Sequence, residues 1–345
     1  MFLILNKYSN LNISFKIFFR YSLIASCCLY CSLSFGADTK IGNSIRPIYP
    51  ARAIRVIVPV AAAGGTDIIA RIVINKLSDT LGKSIVVDNR PGAGGILGNE
   101  IVAKARPDGY TLLFTYAAHT IVPFIFKNIP YDVYKDFSAV TLAGQQSLLL
   151  TVNSQVPVNT VAELIAFAKA KPNTLNVAWA TPSSSGALAA EVFKMITDIK
   201  MTSIPFKGGA PALTALIQNE VQVIFTTPPT VMGHLKSGKV KVLGTSANKR
   251  ESYLPLVPTF LESGVADFNT APWQGLLAPA GTPKEIIDFL YQKISQLLIL
   301  PDVKERFDFQ GTDIVGSTPT EFSKMISKEL ALNSRVIKAV GMKAD

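Results

Sequence analysis

Ile54-Arg55-Val56-Ile57-Val58-Pro59-Val60-Ala61-Ala62-Ala63-Gly64-Gly65-Thr66-Asp67 holds a strand, a turn and the first residues of a helix. The apolar run Ile54 to Val58 reads as a strand, which Pro59 ends. From about Thr66 the apolar residues Ile69, Ile72, Val73 and Leu77 recur at three- and four-residue intervals, the period of a helix with one buried face. Gly82 is placed to end it. Between strand and helix stand only small side chains, Ala61, Ala62, Ala63, Gly64 and Gly65. A helix start offers unpaired amides and the positive end of the helix dipole, so such a turn suits an anion. The same residues also make an ordinary tight turn in which Asp67 holds the helix start.

The beat continues outward. Ile85 to Val87, Tyr110 to Thr115, Asn176 to Ala180, Val221 to Phe225, Val240 to Ser246 and Trp273 to Ala278 read as strands. Residues 160–170, 185–197, 211–219, 283–298 and 319–340 read as helices. Strands alternating with helices predict an α/β fold with mainly parallel sheets. Thr160 with Glu163, Thr282 with Glu285 and Thr318 with Glu321 have the spacing of capping boxes, with Pro283 and Pro319 at first helical positions. A chain of 345 residues suggests two domains, yet no Pro/Gly/Ser linker divides it. The chain is therefore expected to cross between its domains more than once.

Composition removes several classes. The sequence is 48% hydrophobic and 17% charged, enough apolar residue to build a core and too much for disorder. Its three cysteines, Cys27, Cys28 and Cys31, crowd one segment, which excludes a disulfide scaffold and a cysteine-built zinc site. That segment reads as a secretory signal over 1–37: Lys7, Lys16 and Arg20, an apolar run from Tyr21 to Phe35, then Ser34-Phe35-Gly36-Ala37 for cleavage near Gly36 or Ala37. The run of ~15 residues is short for a membrane span, which needs about 20. An uncleaved anchor and a lipid-bearing Cys27 are the competing readings. Cleavage removes every thiol and lowers the net charge from +10 to +7. The remaining basic residues lie scattered among acids, without the patch or motif of a nucleic-acid binder.

Candidate chemistry is sparse. Gly92-Ala93-Gly94-Gly95 lacks the spacing of a nucleotide-binding loop, since Leu97 stands where the third glycine is needed, and reads as a turn rich in positive φ. Thr181-Pro182-Ser183-Ser184-Ser185 joins a strand to a helix and suits either helix capping or a polar ligand. A serine nucleophile would need a base, and His119 and His234 are the only histidines. His234 is expected on a surface helix, and His119 on a loop at 117–119. Two histidines make no metal site, and no cofactor is expected. In open sheets, ligands bind beyond the carboxyl ends of parallel strands. The turns at 61–67, 117–119, 181–185 and 226–228 all follow strands, so two facing sheets would gather them round one cleft, in a binding protein or a two-domain enzyme.

A family resemblance enters on these residues. The stretch Val58 to Asp67 resembles the opening signature of the Bug-type (TctC) receptors, the extracytoplasmic solute-binding components of tripartite tricarboxylate transporters. Asn89-Arg90-Pro91-Gly92-Ala93-Gly94-Gly95, Pro107-Asp108-Gly109-Tyr110-Thr111-Leu112, Pro130-Tyr131-Asp132 with Lys135-Asp136-Phe137, Pro205 to Leu213 and Trp273 to Pro283 follow in the family's order. The resemblance implies a two-domain periplasmic-binding-protein fold of type II, a Venus flytrap with parallel-rich sheets flanked by helices. It places one domain at 53–145 plus 271–345 and the other at 146–270. It implies a monomeric receptor without catalysis, for a di- or tricarboxylate, an amino acid or an aromatic acid, with two integral membrane subunits as partners. The expected ligand contacts are Ala61, Ala62, Ala63, Gly64, Gly65, Asp67, Ala118 and His119 from the first domain. From the second they are Thr181, Ser183, Ser184, Lys207 and Thr226, with Trp273 completing the pocket. The chain departs from the family pattern at Thr181, Ser183, Ser184 and Ala187, and carries Gln222 and Thr226 where acids are common. This favours a carboxylate without an ammonium group. The alternatives are a receptor that signals to a sensor kinase, and a hydrolase or lyase built on the serine run and His119.

Overall fold

The computed structural model describes residues 49–266, 268 and 270–344. The expected signal over 1–37 and all three cysteines lie outside the described residues. The opening stretch folds as its pattern predicts: β1 (Ile54–Val58), a small-residue turn, and α1 (Gly65–Leu81), closed by Gly82 in the left-handed region. The buried stripe of α1 includes Ile69, Ile72, Val73 and Leu77, the periodic positions. β2 (Ile85–Asn89), α2 (Ile96–Ala103), β3 (Thr111–Tyr116) and α3 (Ala118–Ile125) follow. β4 (Phe137–Gln146) and β5 (Leu149–Asn153) come next.

The chain continues through α4 (Val161–Ala170), β6 (Asn176–Trp179), α5 (Ser185–Thr197) and β7 (Thr202–Pro205). Then come α6 (Gly209–Ile217), β8 (Val223–Thr226), α7 (Pro228–Leu235) and β9 (Val240–Thr245). The C-terminal part holds β10 (Trp273–Pro279), α8 (Lys284–Leu298), α9 (Pro301–Phe309), β11 (Thr312–Ile314) and α10 (Pro319–Val340).

These strands form two sheets, one in each of two lobes. The first runs β11-β4-β10-β3-β1-β2 and the second β7-β6-β8-β5-β9. Each sheet is mixed. β1 is parallel to β2 and β3, and β6 to β7 and β8, whereas β10 is antiparallel to β3 and β4, and β5 to β8 and β9. β5 and β10 are the strands on which the chain arrives from the other lobe, and the short β11 is antiparallel to β4 as well. The chain enters the second sheet between Gln146 and Leu149 and returns to the first between Thr245 and Trp273. A strand arriving from the other lobe starts at the hinge edge, so it runs against the βαβ strands that end there.

Burial holds each lobe together. Ile57, Leu113, Leu277 and Phe322 form part of the first core. In the second, Leu150, Val177, Val223 and Phe225 pack with Phe193, Phe260 and Phe268, whose last two rings meet edge to face at 4.5 Å. Such aromatic pairs add about 0.5–1.5 kcal/mol beyond the area they bury. Gly186 lets α5 lie on β8, because a Cβ there would strike the Phe225 carbonyl oxygen. α10 spans both lobes: Phe322 and Ile326 belong to the first core, Val336 and Ile337 to the second.

Of the three expected capping boxes, Thr318 makes the full reciprocal pair with Glu321. Thr160 caps α4 by accepting from the Glu163 amide, while the Glu163 carboxylate takes the Asn159 amide instead of that of Thr160. Thr282 does not cap α8. It is buried, and its hydroxyl turns back to donate to the Pro279 carbonyl at 2.7 Å, leaving Pro283 as the cap residue. Residues 117–119 are not a loop, since α3 begins at Ala118.

Candidate functional site

The turn after β1 is set by Asp67. Its carboxylate, 1% exposed, accepts from the Ala63 amide at 2.8 Å, from Arg71 Nε at 2.9 Å and from Asn89 Nδ2 at 2.8 Å. Arg71 also donates to Asn89 Oδ1, and Asn89 to the Val60 carbonyl. Burial alone would raise the Asp67 pKa, but the bonds from Arg71, Asn89 and Ala63 outweigh it and hold the group ionised below the ordinary range. The network stabilises Ala63 at φ 64, a left-handed conformation that costs a residue with a Cβ roughly 1–2 kcal/mol. It leaves Gly64 as the α1 cap residue, with no side chain capping the helix. The dipole end of α1 is thus open to a ligand.

The facing turn behaves differently. Ser184 caps α5: its hydroxyl donates to the Thr181 carbonyl at 2.7 Å and accepts from the Ala187 amide at 3.2 Å. That leaves Thr181 Oγ1 and Ser183 Oγ, which lie 3.4 Å apart. Between the two turns is a cavity of about 610 Å³. The first lobe lines it with Pro59, Val60, Ala61, Gly64, Pro91, Gly92, Gly94, Gly95, Tyr116, Ile125 and Phe126. The second contributes Thr181, Pro182, Ser183, Gly208 and Gly209, and Ala344 near the C-terminus completes the wall. None of these described lining residues carries a charged side chain. Burial pushes the Tyr116 phenol up to about 12, so it remains a neutral hydroxyl that reaches the Gly94 carbonyl at 3.4 Å.

The expected contacts therefore divide. Ala61, Gly64, Thr181 and Ser183 stand on the cavity wall, with Ala62, Ala63 and Gly65 in the same first turn. Asp67 lies behind that turn and organises it, and Ser184 is occupied by its helix cap. Lys207 is exposed beside the wall residue Gly208 and does not line the cavity. Thr226 is buried at the end of β8 and does not line it either. Ala118 and His119 are buried, and His119 packs edge-on against Phe137 at 4.9 Å with Nδ1 3.1 Å from Asn99 Nδ2. Burial lowers the His119 pKa to about 3, against a hydrogen bond to the Val133 backbone, so the ring is a weak base. Trp273 is fully buried, edge-on to Phe322, and donates to Glu329 Oε2 at 2.7 Å. Among the described residues, no group of three or more His, Cys, Asp and Glu side chains could hold a metal ion.

Sequence reasoning gave the turn at 92–95 no role in binding, yet it forms part of the wall. Ala93, Gly92, Gly94 and Gly95 all have positive φ, as the glycine-rich composition predicts. Tyr116, Ile125 and Phe126 were also missed; their residue types are those of ordinary core positions. A second cavity of about 700 Å³ lies beside the segments that cross between lobes, lined among others by Gln146, Ser246, Lys249, Asp313, Lys328 and Glu329. It lies at the carboxyl ends of β4 and β9, where the chain crosses between lobes.

Two mixed α/β sheets in separate lobes, joined by crossing strands and facing each other across a small-residue cleft, define a periplasmic binding protein. Residues 69–342 match the family described as "Tripartite tricarboxylate transporter family receptor", and the chain belongs to that family. It is 34% identical over 297 residues to Protein BugT of Bordetella pertussis, covering 86% of this chain and 91% of that protein. A solved R. palustris protein with adipate superimposes with a TM-score of 0.76 at 31% identity, covering 86% of this chain and 99% of that one. MatC from Rhodopseudomonas palustris with bound malate gives 0.73 at 31%, covering 84% and 100%. The family's members are solute-binding receptors. No helix among the described residues is long and apolar enough to cross a membrane.

Proposed function

We propose that this chain captures a small carboxylate in the cleft between α1 and α5 and delivers it to two integral membrane subunits of a tripartite transporter. The observation that carries this reading is the pairing of an uncapped α1 start with the hydroxyls of Thr181 and Ser183 across a cavity of about 610 Å³. A carboxylate needs several donors, and here backbone amides at a helix start and neutral hydroxyls supply them without a lysine or arginine. The adipate-bound and malate-bound relatives support the ligand class.

Capture follows from population shift: a ligand that touches both lobes only when they are closed stabilises the closed form. Residues 53–145 with 271–345 form one moving body and 146–270 the other, a division supported by the two sheets. The protein works as a monomer in the periplasm, after cleavage near Gly36 or Ala37, and turns nothing over. In support of the last point, the Ser184 hydroxyl is engaged with the Thr181 carbonyl and His119 is a weak base.

The test is thermal unfolding of residues 38–345, refolded to strip any retained ligand, against a panel of carboxylates. Ligand at a thousand times its Kd adds about 4 kcal/mol and shifts the midpoint by several degrees. A clear hit among acids is the expected result; a flat panel would remove the carboxylate reading.

A further inference from the structure

The wall of the cleft cavity is polar in one part and apolar in the rest. The polar part lies where α1, α5 and α6 begin. Thr181 and Ser183 bring their hydroxyls there. The Gly208 amide donates to the Ala180 carbonyl at 2.7 Å, which holds the start of α6, uncapped by any side chain, beside the same turn. The uncapped start of α1 comes from the first lobe. The rest of the wall includes Pro59, Pro91, Ile125, Phe126 and Ala344.

This apolar part has little left to offer a polar group. Its prolines carry no amide hydrogen. The Phe126 amide donates to the Val122 carbonyl at 3.1 Å, and the Ile125 carbonyl accepts from the Ala344 amide at 3.2 Å. That second bond ties the C-terminal segment, anchored by buried Met342 in the second core, to the end of α3. The Tyr116 hydroxyl is turned to the Gly94 carbonyl. Arg90, Lys127, Lys207 and Lys343, each next in sequence to a wall residue, are exposed and stand outside the lining.

We propose that the ligand is a monocarboxylate with an apolar body, and that Ile125, Phe126 and Ala344 select that body. The inference rests on the carboxylate reading of the cleft and narrows it. The carboxylate takes the donors at the helix starts, and the body lies along the apolar wall. A hydroxyl or a second carboxylate at the far end would give up its water and meet no partner, which costs affinity. An apolar end gives up nothing and gains from burial.

Calorimetry on the refolded protein compares acids that differ only at the far end: hexanoate with adipate, and benzoate with para-hydroxybenzoate. In each pair that binds, the member with the apolar end should bind at least about tenfold tighter, the cost of one buried polar group left unpaired. Ala344→Phe fills part of the apolar wall, and should cost hexanoate at least about tenfold more than propionate, whose body is shorter. Adipate or para-hydroxybenzoate binding as tightly as its counterpart, or an equal loss for both acids in Ala344→Phe, would overturn the proposal and leave the carboxylate reading standing. Should no acid of the set bind, this proposal falls, and the wider panel decides the carboxylate reading. Should Ala344→Phe fail to fold, the pairs on the native protein still decide.

Discussion

Gly94 and Ser183 face each other across the cleft so closely that a Cβ on Gly94 would come within 2.9 Å of the Ser183 hydroxyl oxygen. The two residues belong to different lobes, and Gly94 is held at φ +67. A side chain there would act as a wedge. Gly94→Ala should weaken ligand capture by at least tenfold while costing about 1 kcal/mol of stability from the backbone strain. Gly82→Ala is the matched control, because Gly82 is also left-handed, at φ +58, but has open space around it. It should lose similar stability and keep its affinity. Calorimetry with the carboxylate giving the largest thermal shift measures both.

The neighbouring serines should separate cleanly. Ser184→Ala removes the α5 cap and should cost about 1 kcal/mol in denaturant unfolding. Ser183→Ala removes a hydroxyl from the cavity wall and should lower affinity with little change in stability. The reverse pattern would place the ligand on Ser184.

Asp67→Ala should weaken binding through the turn it shapes. It leaves the Ala63 amide, Arg71 and Asn89 without their shared acceptor, which should cost about 1–3 kcal/mol. Because its pKa is depressed, this contribution is present above the unfolded pKa and fades as pH falls through the folded one. Unaltered affinity in a folded Asp67→Ala protein would show that the turn does not touch the ligand.

His119 and Glu329 should oppose each other in the pH dependence of stability. Glu329, raised to about 7, contributes stability present below the unfolded value near 4.5 and lost as pH rises through 7. His119, lowered to about 3, gives stability present above its unfolded value of 6.5 and lost as pH falls through 3. Between pH 4.5 and 6.5 the two slopes cancel. Glu329→Gln should therefore expose a rise of about 1.4 kcal/mol per pH unit over that range. Urea unfolding at several pH values checks it, and a flat profile in the variant would show that His119 is not buried neutral.

Local signals in the chain foretold β1, its turn and α1, because the apolar period, the small residues and Gly82 lie within one stretch. They also foretold the Ser184 turn and the start of α10. β4, β5, β7 and β11 were not legible. β4 mixes Ser138, Ala139, Thr141 and Gly144 into its run, and β11 is a short strand whose partner is far away in the chain. Which expected contacts stand on the cavity wall and which lie behind it was not legible for a related reason. Nothing near Asp67, Ser184, His119 or Trp273 in the sequence says whether the side chain is already engaged. That depends on Asn89, the Thr181 carbonyl, Asn99 and Glu329, which only the folded chain brings within reach.

The placement of β10 also governs the order in which the molecule can be finished. The second sheet is built from one continuous length of chain, β5 through β9, and every partner it needs has been made once Thr245 has emerged. The first sheet has a gap at its centre until Trp273–Pro279 arrives to pair with both β3 and β4. During vectorial emergence from the N-terminus, the lobe that begins first is thus completed last. Its early strands expose open ladder edges throughout that interval, so this half stays open to mispairing for longer than the other.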